Sequence, residues 1–106
     1  MARTVDAESL ALLIADGKAF LVDVREPWEH ELVALPESLL IPLGELADRA
    51  DEVRPPDGAT VVAYCHHGVR SLSAVAILEA RGIPARSLAG GIDRYALAVD
   101  PRLPRY

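Results

Sequence analysis

The order of apolar segments along the 106 residues predicts an α/β domain built on a parallel sheet. Short β-type runs alternate with stretches of helical periodicity over the whole length, the pattern left by repeated strand–helix units. The run Thr60-Val61-Val62-Ala63-Tyr64 lacks any apolar–polar alternation, as a strand covered on both faces must. No segment is long or polar enough to separate two domains, so residues 1–106 are read as one, with a core of about 4–99 and a tail at 100–106.

Taken in order, Asp6 suits the N-cap of a helix reaching Asp16, with Leu10, Leu13 and Ile14 on its apolar face and Gly17 ending it. Phe20 to Val24 reads as a buried strand. Pro27 then fits the first turn of a short helix carrying Trp28, Glu29 and His30, which Pro36 interrupts or closes. Leu39-Leu40-Ile41 reads as a short strand and Gly44 to Ala50 as a short helix. Arg54-Pro55-Pro56-Asp57-Gly58 is a turn leading into the strand Thr60–Tyr64. A mostly apolar helix from about Val69 to Arg81 follows, stopped by Gly82 and Pro84. Ala85 to Leu88 gives the last strand, and Gly90-Gly91 turns the chain into a final helix. The prolines of the tail, Asp100 to Tyr106, predict an extended course.

Composition narrows the function classes. Apolar residues make up 51% and charged residues 25%, the balance of a soluble globular domain. A net charge of −5 argues against nucleic acid or an anionic membrane as the main partner, but leaves room for a small anionic substrate in a local pocket. No apolar stretch approaches the roughly 20 residues of a membrane span, and Met1-Ala2-Arg3-Thr4-Val5-Asp6 lacks a secretory layout. With a single cysteine no internal disulfide forms, which makes a reducing cytoplasm the expected compartment; nothing in the sequence demands more than a monomer. The ten arginines against one lysine carry no functional inference.

That cysteine, Cys65, stands where the buried strand gives way to His66-His67-Gly68-Val69-Arg70-Ser71 and then to a helix. A thiol on a tight loop opening a helix is a candidate nucleophile, because the loop amides and the positive end of the helix dipole favour an anion. Gly68 allows the positive φ such a loop needs. Arg70 is a candidate countercharge with a planar donor fork.

Five segments in this order, Asp23-Val24-Arg25-Glu26-Pro27-Trp28-Glu29, Ile41-Pro42-Leu43-Gly44-Glu45-Leu46, the Cys65 loop, Leu88-Ala89-Gly90-Gly91-Ile92-Asp93 and the closing Asp100-Pro101…Pro104-Arg105-Tyr106, give a chain that resembles single-domain rhodanese-like sulfurtransferases over essentially its whole length. The resemblance implies a parallel sheet of about five strands flanked by helices on both faces. It implies sulfane sulfur transfer from a donor such as thiosulfate or a persulfide to cyanide, a thiol or a protein, through a persulfide on Cys65. The amides from His66 to Ser71 would hold the terminal sulfur, while Asp23, Arg25, Gly90 and Gly91 would support the site. No cofactor is implied. A metal site at Cys65, His66 and His67 is not expected either, since sequence neighbours rarely converge on one ion.

Two departures stand out. Relatives often carry Gly-His-Ile-Pro-Gly-Ala where this chain has Val33-Ala34-Leu35-Pro36-Glu37-Ser38, and often Trp after the double glycine where it has Tyr95. Cysteine phosphatases resembling this fold place five residues between cysteine and arginine, whereas four lie between Cys65 and Arg70. The shorter ring favours sulfur over phosphate or arsenate. A non-catalytic binding or redox-sensing module on the same fold is the alternative from another class.

Overall fold

The computed structural model describes residues 3–106. Five strands, β1 (Thr4–Val5), β2 (Ala19–Asp23), β3 (Leu39–Leu40), β4 (Thr60–Tyr64) and β5 (Ala85–Leu88), form one parallel sheet in the order β1-β5-β4-β2-β3. Helices α1 (Ala7–Ala15), α2 (Pro27–Leu32), α3 (Leu43–Arg49), α4 (Arg70–Ala80) and α5 (Gly91–Ala98) connect them, with a 3-10 turn at Ala50–Glu52. The predicted parallel α/β architecture is the observed one.

Strand parity on β4 explains both the sheet's burial and the site's placement. Successive side chains point to opposite faces. Val61, Ala63 and Cys65 therefore enter a cluster with Leu46, Ala74, Val75 and Leu78, beneath α3 and α4. Val62 and Tyr64 enter the opposite cluster with Leu10, Leu88, Ile92 and Tyr95, beneath α1 and α5. Val62 and Leu78 are fully buried, each worth about 2 kcal/mol of apolar transfer. Because all strands run the same way, the carboxyl ends of β2, β4 and β5 share one edge, where ligands of open α/β sheets bind.

The local caps follow the sequence closely. Asp6 Oδ1 accepts from Ser9 N at 2.7 Å and starts α1. Glu26 and Glu29 form a reciprocal capping box on α2, with Pro27 in its first turn. Strands β4 and β5 keep their predicted bounds, and β2, α3 and α4 shift by a residue or so.

Three expectations change. β1 was not foreseen, since two residues are too few to show a period; it exists because Thr4 and Val5 pair with Ser87 and Leu88 on the sheet edge. Pro36 does not end α2, which stops at Leu32 when Val33 adopts an extended backbone. The tail is not simply extended, for it turns at Pro101–Arg102 and Leu103 N bonds back to Asp100 O at 3.1 Å.

Among the described residues, Glu37 is the non-glycine residue with positive φ, at 57°. A side chain there costs about 1–2 kcal/mol, part of which glycine returns through unfolded-chain entropy. Glu37→Gly is expected to stabilise the domain by about 0.5–1 kcal/mol, read as a rise of a few degrees in thermal midpoint.

Candidate active site

Cys65 follows β4 and is 1% exposed. Burial alone would suit an inert core thiol. The donors around the sulfur distinguish it: Gly68 N–H points at Sγ at 3.1 Å and Ser71 N–H at 3.4 Å. The thiol in turn donates to Ser71 Oγ at 3.5 Å, and that hydroxyl lies 2.6 Å from Ser87 Oγ on β5. Of the amides from His66 to Ser71, those of Gly68 and Ser71 are the ones bonded to Sγ. Arg70 and Ser71 open α4, so the sulfur lies at that helix's positive end.

The loop is held from beneath by the start of α5. Ile92 N–H donates to Cys65 O at 2.9 Å and Asp93 N–H to His66 O at 3.1 Å. That approach demands glycine: a Cβ on Gly91, φ 65°, would drive into the His66 carbonyl. A Cβ on Gly68, φ 99°, would sit 3.0 Å from Gly90 N. The pairs Gly68–Gly90 and Gly91–His66 thus fix the two sides of the loop.

Asp23 and Arg25, at the end of β2, are fully buried. Asp23 Oδ1 accepts from the Arg25 backbone at 3.0 Å and from Nε at 2.9 Å, and Oδ2 accepts from Nη2 at 2.7 Å. Arg25 also donates to Val33 O at 2.6 Å and to the Tyr106 hydroxyl at 2.8 Å. His30 Nδ1 lies 2.8 Å from Asp23 Oδ2, so this histidine joins the support of the site.

The guanidinium of Arg70 is not free at the loop mouth. It donates to both oxygens of Glu29, at 2.7 and 3.0 Å. Glu29 also accepts from Glu26 N at 3.0 Å and from the Tyr106 hydroxyl at 2.6 Å. Its hydrogen bonds from Arg70 outweigh burial and hold its carboxyl at about 2, well below the usual 4.5. With a side chain only 5% exposed, that depression corresponds to about 3 kcal/mol of stability. A lowered carboxyl contributes fully above its unfolded value and loses the contribution as pH falls through the folded one. Acid unfolding should therefore show a limb between 4.5 and about 2, which Glu29→Gln flattens when unfolding free energy is measured against pH.

His66 is stacked between two rings, His67 and Tyr106, each with a centroid separation of 3.8 Å. Burial first, then the charge of His67, push its imidazole below the usual range. His67 is largely exposed, as is Val69. A candidate cation site exists where ligand atoms of His66, His67 and Asp93 lie within 4.8 Å of one another. Asp93, however, already accepts from Arg105 at 2.8 and 3.2 Å. An open cleft of about 360 Å³ among Ile14, Phe20, Pro36 and Pro56 lies at the opposite edge of the sheet, away from the thiol.

Residues 6–98 match the family model for the rhodanese-like domain. The chain belongs to the rhodanese-like domain family. This rhodanese-like domain is 34% identical to "Adenylyltransferase and sulfurtransferase UBA4" of Yarrowia lipolytica, with 88% of this chain and 24% of that protein covered. It superposes on the crystal structure of a rhodanese-related protein from Thermoplasma volcanium with TM-score 0.82 and 28% identity, over 92% of this chain and 93% of that one. The human single-domain sulfurtransferase TSTD1 gives TM-score 0.80 and 28% identity, covering 92% of this chain and 98% of that one. The chain spans 23–31% of the length of the first curated relatives it matches. No helix among the described residues is long and apolar enough to cross a membrane.

Besides His30, the candidate site includes three groups that sequence reasoning did not assign to it. Ser87 signals itself faintly, as the polar residue two positions after Ala85 on the inward side of β5, whose other polar residue, Arg86, is exposed. Glu29 was visible as a helix residue in a shared motif, but its partner 41 positions away was not. Tyr106 stood in the closing motif, but its place over the loop was not legible, because the turn at Pro101–Arg102 brings it there.

Proposed function

We infer that this domain is a sulfurtransferase in which Cys65 carries a sulfane sulfur as a persulfide. The single observation that carries the reading is the pair of amides, Gly68 and Ser71, aimed at a thiol at the end of the central strand. Kinship with proteins named as sulfurtransferases supports it. The Cys65 thiolate attacks the outer sulfur of the donor; the new Sγ–S bond forms as the donor's S–S bond breaks. Thiosulfate leaves as sulfite, and an organic persulfide leaves as its thiolate. A thiophilic acceptor (cyanide, a thiol or a protein thiol) then removes the outer sulfur and regenerates the cysteine, giving ping-pong kinetics. The amides stabilise the charged sulfur without side-chain chemistry.

The test is intact mass after incubation with thiosulfate or an organic persulfide, followed by addition of cyanide. One added sulfur atom, lost to cyanide with release of thiocyanate, is expected; no adduct from either donor type overturns the reading. The deep burial of Sγ is the observation favouring a binding or redox-sensing module instead, and that module would give no turnover. Hydrolysis of small aryl phosphates is expected to be absent, since a ring with four residues between Cys65 and Arg70 is small for a phosphate; phosphatase assays check this.

A further inference from the structure

We propose that Glu29 is a specificity-determining residue that turns the Cys65 site away from dianionic donors such as thiosulfate and toward organic persulfides, R–S–SH. The proposal rests on the sulfurtransferase reading and adds the donor class to it.

Arg70 supplies the guanidinium beside the loop. A dianion is attracted to a pocket only by charge that is not already neutralised. Here both ends of the Arg70 fork are taken by one carboxylate, at 2.7 and 3.0 Å. A bidentate pair of this kind has no donors to spare along that edge. For thiosulfate to use Arg70 it must displace Glu29, whose side chain is 5% exposed. That leaves a buried anion next to an incoming dianion, with two costs at once: lost pairing and like-charge repulsion.

Glu29 is also fixed so that it does not swing aside. Glu26 N–H holds one oxygen at 3.0 Å, and the Tyr106 hydroxyl holds the other at 2.6 Å while accepting from Arg25 at 2.8 Å. The Tyr106 ring is stacked on His66 within 7° of parallel. Moving the carboxylate would break this whole array. His66, held toward its neutral form by burial, does not replace the lost positive charge.

The rim suits an organic donor. Val69, in the loop itself, is 75% exposed, and Trp28, whose ring meets Tyr106 edge-on at 5.8 Å, is 60% exposed. A donor with a carbon-bearing leaving group finds apolar surface there, which sulfite does not use. In the loading step the Cys65 thiolate attacks the outer sulfur of neutral R–S–SH. The Sγ–S bond forms, the donor's S–S bond breaks, RS⁻ leaves with the electron pair, and the proton stays on the transferred sulfur.

The experiment measures the second-order rate constant for sulfur loading of Cys65 by quenched intact mass, with thiosulfate and with cysteine persulfide. The wild-type domain is expected to load at least 10-fold faster from the persulfide, on the order of one charge interaction. Glu29→Gln is expected to shift the thiosulfate-to-persulfide ratio by 10-fold or more toward thiosulfate, on the same scale. Adding Arg70→Gln to Glu29→Gln should abolish that shift, because the freed guanidinium is its cause. A wild-type domain that prefers thiosulfate, or a Glu29→Gln variant that keeps its fold by circular dichroism with the ratio unmoved, overturns the proposal. If Glu29→Gln does not fold, the wild-type ratio alone decides. No loading from either donor would instead mark failure of the sulfurtransferase reading itself.

Discussion

Cys65→Ser is expected to lower thiocyanate formation by more than about 1,000-fold, because a serine oxygen neither ionises near neutral pH nor forms a sulfur–sulfur bond. The loss should fall on the chemical step. The substitution removes little volume, and the amides of Gly68 and Ser71 still find an acceptor where Sγ lay. Thermal unfolding of the variant should therefore stay close to that of the parent while sulfur loading, read by intact mass, disappears. Retained turnover in Cys65→Ser would remove the thiol from the mechanism altogether.

Gly91→Ala is expected to be the most damaging backbone substitution near the site. Positive φ by itself costs about 1 kcal/mol for alanine. At Gly91 the added Cβ also meets the His66 carbonyl, and relief requires the loop to move off α5. Such movement breaks the bonds from Ile92 N to Cys65 O and from Asp93 N to His66 O. Together these losses should reach about 3 kcal/mol or more, a drop of more than about 10 °C in thermal midpoint. Gly17→Ala is the matched control. Its φ is 67°, nearly that of Gly91, yet nothing lies within 4 Å of the added Cβ. That variant should lose only about 1 kcal/mol, so the difference between the two isolates the close approach from the conformational term. Urea unfolding of both variants measures it, and equal losses would mean that the loop is not braced as described.

The expected elements were legible wherever their cause is local. Strand β4 announced itself by composition, α1 by Asp6, and the ends of β5 by Pro84 and the double glycine, each a matter of adjacent residues. The same holds for the thiol loop, where residue type and spacing sit within seven consecutive positions. Strand β1 escaped because two residues have no period and pairing with β5 alone defines them. The tail escaped for a related reason: prolines exclude helix but do not say where a chain turns.

Sequence by itself determined the α/β order, the parallel sheet and the thiol's address at the end of the central strand. These depend on periodicities of two and 3.6 residues and on turn chemistry, which act over a few positions. Tertiary structure decided what surrounds the sulfur. Arg70 meets Glu29 across 41 positions, Tyr106 meets Glu29 across 77 and Arg25 across 81. No local pattern encodes such partners, because packing chooses them only after helices and strands have been laid against one another. The chain therefore states where its thiol lies, and the fold alone states which charges are left free to meet a substrate.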